Sequence, residues 1–179
     1  TGEMAGFVSR SGGTLPGQVD PRALREASER LESLLAMLDA LEPGEPPQEL
    51  ARLNRVYEYW NERPLAGQVL RSAEALRARL DDATALLRRH PGRYHRLFQS
   101  RYLANMSPRL WLVRNEGRGI FRRLHQLLHA PGAEVPESMT PFIRRNLQNG
   151  PGSVWDALDQ AVKRHVAAWN QLFARCPER

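Results

Sequence analysis

Apolar residues recur every three or four positions through most of this chain, the spacing of one face of an α-helix. The first row is Leu24, Ala27, Leu31, Leu34, Leu38 and Leu41. It follows Asp20 and Pro21, an N-cap residue with proline in the first turn. Prolines 43, 46 and 47 with Gly44 end that helix. A shorter second row, Leu50, Leu53, Val56, Tyr57 and Trp60, runs up to Pro64. A long third row, Val69, Ala73, Leu76, Leu80, Ala83 and Leu87, stops at Pro91 and Gly92.

The pattern is less regular in the next part. Tyr94, Leu97, Phe98 and Tyr102 precede a break at Pro108, and four consecutive apolar residues run from Leu110 to Val113. Ile120, Phe121, Leu124, Leu127 and Leu128 form another stripe. Gly117 and Gly119 weaken any helix continuous through Arg114, because glycine disfavours a helix interior. After a Pro- and Gly-containing loop at 130–137, Thr140 and Pro141 start a short helix that ends by Asn149 and Gly150. Ser153 with Asp156 resembles a capping box for the last helix, which carries Val154, Leu158, Val162, His165, Trp169, Leu172 and Phe173.

These rows predict an all-α fold, a bundle of six to seven helices in orthogonal or mixed packing. Because the first and third rows share one rhythm, the first helix is expected to pack on the third, with Leu31 buried between them. Residues 1–19, with scattered apolar positions and five glycines before position 18, read as a flexible leader or linker. Residues 20–179 read as a single helical domain. Its length suits one core, with roughly 70% of the unfolded surface buried.

No apolar run reaches the roughly 20 residues needed to cross a bilayer as a helix, so integral membrane association is not expected. The first 18 residues lack a signal peptide's long apolar centre. Cys176 is the only cysteine, so no disulfide can form within the chain, a usage typical of cytoplasmic proteins.

Charge adds the sharpest functional clue. Residues 88–123 hold ten arginines and one acid, Glu116, a local net charge of +9 against +6 for the whole chain, which leaves −3 for the rest. Lys163 is the only lysine. Codon bias accounts for the general preference for arginine, since it extends into acidic segments, but not for the clustering. Two readings of the cluster compete. In one, Glu26, Glu29, Glu32 and Asp39 of the first helix neutralise it on a solvated surface. In the other, Arg88, Arg89, Arg93, Arg96, Arg101, Arg114, Arg118, Arg122 and Arg123 form a cationic face for an anionic partner, most readily an acidic protein surface and alternatively nucleic acid.

Arg114, Arg118 and Arg122 are spaced to form one ridge if the backbone is helical. If the glycines break the helix, residues 115–119 become a loop whose amides can hold an anion. The turn Leu110 to Val113, which holds Trp111 and is flanked by Arg109 and Arg114, is either fully internal or half exposed, and if exposed it is an apolar spot ringed by arginine.

Catalytic machinery is not visible. No serine lies in a nucleophile-elbow pattern, and Arg55 and Arg63 stand beside the paired carboxylates of Glu58 and Glu62. His125 and His129 share a helical face, but two ligands do not make a zinc site. No cofactor, metal or catalytic residue is therefore expected. The expected function is non-enzymatic macromolecular recognition by a helical adaptor, effector or regulatory domain.

Overall fold

A computed structural model describes residues 19–40, 50–89, 106–130 and 135–175. The leader at 1–18, the segment holding Arg93, Arg96 and Arg101, and Cys176 lie outside the described residues. Every regular element among the described residues is helical. They are α1 (Pro21–Asp39), α2 (Leu50–Glu62), α3 (Leu65–Arg89), α4 (Ser107–Trp111), a π-helical turn (Leu112–Gly117), α5 (Arg118–Leu127), a 3-10 turn (Glu137–Met139), α6 (Thr140–Asn146) and α7 (Val154–Arg175). No helix there is long and apolar enough to cross a membrane.

Local chemistry accounts for several boundaries. The Asp20 carboxylate accepts the Arg22 N–H at 2.9 Å and Pro21 opens α1, so the first turn is capped as expected. Ser153 Oγ accepts the Asp156 N–H at 3.1 Å, half of a capping box, and starts α7. Pro108 opens α4 instead of breaking a helix, since a first-turn proline lacks only an N–H that would go unused.

The glycine expectation is corrected. α4, the π-turn and α5 follow one another without a gap, so Gly117 and Gly119 lie inside one continuous rod and no amide-lined loop exists at 115–119. The cause is packing. A methyl group on Gly117 would lie 2.7 Å from Val69 Cγ1, so α3 and the rod approach through space that only glycine leaves open. Close approach outweighs the helix penalty of roughly 1 kcal/mol.

The packing partners also differ from expectation. α3 lies chiefly along α7, and α1 lies on α5, the π-turn and α2. Asp81 meets Arg164, Thr84 meets His165, and Leu87 clusters with Ala168, Trp169 and Leu172. Both positions advance together, so α3 and α7 run parallel. The two longest helices thus cover each other's apolar rows. Leu31 is buried as its row requires, along with Leu24 and Ala27. Val19, assigned to the leader from sequence, is buried in the main core with residues of α1, α2, α3, the rod, α6 and α7.

A polar chain crosses the α3–α7 seam. The Thr84 hydroxyl donates to Leu80 O at 2.6 Å, so its oxygen is left to accept from His165 Nδ1 at 3.0 Å. Trp169 Nε1 donates to His165 Nε2 at 2.9 Å. These three bonds fix a neutral imidazole with its proton on Nδ1. Burial pushes its pKa down to about 4.

Candidate interaction surface

The rod turns Leu110, Val113, Gly117, Ile120 and Phe121 inward. The opposite row, Pro108, Trp111, Asn115, Arg122 and Gln126, is exposed. Of the run Leu110 to Val113, only Trp111 faces solvent fully. At 56% exposure it is the most exposed large apolar side chain among the described residues. Arg109 is also exposed, but two residues away on a helix it does not share Trp111's side.

The predicted arginines separate into three groups. Arg114 and Arg118 close on a single carboxylate: Arg114 Nε donates to Asp159 Oδ1 at 2.7 Å, and Arg118 Nη2 to Asp159 Oδ2 at 2.8 Å. Arg118 also donates to Trp155 O at 3.1 Å, with its guanidinium 5.6 Å from the Trp155 ring centre. Arg123 pairs with Glu32 of α1. These three charges pin the rod to α7 and α1. Of the ridge at 114, 118 and 122, only Arg122 is exposed without an ion pair among the described residues.

Arg88 and Arg89 form the second group. They are exposed in the last turn of α3, where cations suit the negative end of the helix dipole. Val69, which meets Gly117, lies 19 residues back from Arg88 along α3, or about 29 Å at 1.5 Å per residue. A cluster continuous in sequence is therefore divided in space. The third group, Arg93, Arg96 and Arg101, lies outside the described residues.

A family model described as "Protein of unknown function (DUF3080)" matches residues 1–178. The chain belongs to this family. No curated protein and no solved structure matches it.

Asp159 is the residue that sequence reasoning missed. The acids weighed as counter-charges all lie on α1, yet the strongest clamp comes from α7. Its signal was available only as a polar position one residue after Leu158 in the α7 stripe. Asp159→Asn should lower stability by about 1–2 kcal/mol, since hydrogen bonds to charged groups are worth about that much and two guanidinium groups lose their shared anion. Urea denaturation measures it, and a loss below about 0.3 kcal/mol would show that the clamp is electrostatically idle.

His125 and His129 do come together, with ring centres 4.4 Å apart and His129 Nδ1 donating to His125 O at 2.9 Å. Burial, and then the neighbouring His129, lower the His125 pKa. No group of three metal-ligating side chains occurs among the described residues.

Proposed function

We propose that this chain is a recognition domain, an adaptor, effector or regulatory module. It binds an acidic segment of another protein on the outer face of the rod. Trp111 is the apolar anchor, and Arg122 supplies charge along the same face. The observation that carries this reading is Trp111, a large aromatic ring in water, on the same exposed row of the rod as Arg122, a cation without an ion pair among the described residues. Tryptophan and arginine are the residue types that dominate interface energetics. The paired arginines 114, 118 and 123 hold the face in shape instead of touching the partner.

Affinity capture on the immobilised chain, compared with Trp111→Ala and Arg122→Glu, tests the reading. A protein that binds in about 0.5 M salt and loses at least tenfold in affinity with Trp111→Ala fits it, tenfold being about 1.4 kcal/mol. Capture of nucleic acid that is released steeply by salt would favour the alternative of a nucleic-acid-binding face, because each neutralised phosphate releases counterions.

A further inference from the structure

The connection from α6 to α7 holds an asparagine unlike the others among the described residues. Asn54, Asn61, Asn115, Asn146 and Asn170 all lie inside helical elements. In each case the next residue carries a side chain and its N–H belongs to a helical turn. Asn149 lies in no helix and is exposed, and the next residue, Gly150, is exposed as well.

Both sides of this pair are anchored. Before it, the N–H groups of Leu147 and Gln148 both donate to Ile143 O, and Trp155 Nε1 donates to Asn146 O at 2.7 Å. After it, the Ser153 N–H donates to Gly150 O at 3.1 Å and closes a β-turn with Pro151 and Gly152 at its centre. The φ of 81° at Gly152 is the value that a type II turn requires there. Between these anchors the Gly150 N–H donates no hydrogen bond among the described residues. A methyl group on Gly150 would meet nothing within 4 Å, so the space beside its backbone is open.

We propose that Asn149 is a site of spontaneous covalent modification, converted to aspartate and isoaspartate through a cyclic imide formed with Gly150. The Gly150 nitrogen gives its proton to solvent and attacks Asn149 Cγ. The Cγ–Nδ2 bond breaks, Nδ2 takes up a proton, and ammonia leaves. Water then opens the ring. Addition at Cγ restores the original backbone with an aspartate side chain. Addition at the main-chain carbonyl carbon of Asn149 leaves the chain running through Cγ, which is isoaspartate. Solvent water is the only co-reactant, and nothing is oxidised or reduced. Asparagine is a thermally labile residue type, and three features direct the reaction to this one. The attacking nitrogen is not engaged in a hydrogen bond, its residue has no Cβ to crowd the ring, and water reaches both residues. Either product adds a negative charge at 149. Isoaspartate also lengthens the connection by one carbon between the ends held by Ile143 and Ser153.

The test incubates the full folded chain at mildly alkaline pH until a portion unfolded in guanidinium has converted by half. Trypsin then releases residues 146–163, because Lys163 is the first basic residue after Arg145. The peptide from the folded chain should gain one mass unit, an amide NH2 having become OH. Fragmentation should place the gain at 149, in two isoforms that separate by chromatography. A purified isoaspartate methyltransferase should methylate the aged chain and not the fresh one. Gly150→Ala is the decisive variant. The position has room for a methyl group and no positive φ, so circular dichroism should remain unchanged while conversion slows at least tenfold. A folded chain that keeps its mass throughout would overturn the proposal, because the turn would then hold the nitrogen away from Cγ. A gain at another position, or Gly150→Ala converting as fast as the wild type, would overturn it as well.

Discussion

Replacing Trp155 with alanine should cost about 3–5 kcal/mol of stability, a large part of what a domain of this size has. Trp155 is fully buried at the point where four elements meet. Its ring centre lies 5.3 Å from that of Phe121 on α5. Its outer edge reaches the contact between Gly117 and Val69, where the rod crosses α3. Its indole N–H holds the end of α6 through Asn146 O, and Arg118 lies over its face. Alanine removes all of this and leaves a cavity that the clamped helices cannot close. Trp155→Phe retains most of the volume and loses the hydrogen bond, so it should cost about 1–2 kcal/mol. Urea denaturation gives both values. A Trp155→Ala loss below about 1 kcal/mol would mean that the rod, α6 and α7 do not share this centre.

Acid should destabilise the fold through His165 by about 3 kcal/mol between pH 7 and pH 4. Its pKa is about 4 when folded and about 6.5 when unfolded, so the unfolded chain binds more protons between those values. The contribution of the neutral ring is therefore complete above about pH 6.5 and is lost as pH falls towards 4. Protonation would also set an N–H on Nε2 against the indole N–H of Trp169. Carboxylates titrate in the same range, so the reading is the difference between the wild type and His165→Gln. That difference should shrink steadily from pH 7 to pH 4. If it stays flat, the imidazole is not the group responsible.

The helices were legible in the sequence because each is amphipathic on its own: the row through Leu24, Ala27 and Leu31 and the caps at Asp20 and Ser153 need no partner to be seen. Partner choice was not legible, because leucine rows of equal rhythm are interchangeable until length and approach distance are known. Gly117 illustrates this. Read locally it is a helix breaker, and only Val69 across the interface gives the reason for it. The basic cluster was visible as composition, but its division was not, since Asp159 lies more than 40 positions from Arg114 and Arg118. Trp111 was legible as an alternative, exposed or internal, and the phase of the rod selects exposure.

The parallel arrangement of α3 and α7 has a consequence for how the chain folds. Thr84 and His165 are 81 positions apart, so their meeting closes a loop far longer than any hairpin connection. By chain statistics that closure costs about 2 kcal/mol more than a ten-residue connection. Contacts of such separation form slowly and late. During synthesis the last residue of α7 follows the last residue of α3 by 86 positions. At about 5–20 residues per second this is roughly 4–17 s, during which the leucine row of α3 has no α7 to cover it and depends on the rest of the chain, or on a chaperone, to stay out of other proteins' way.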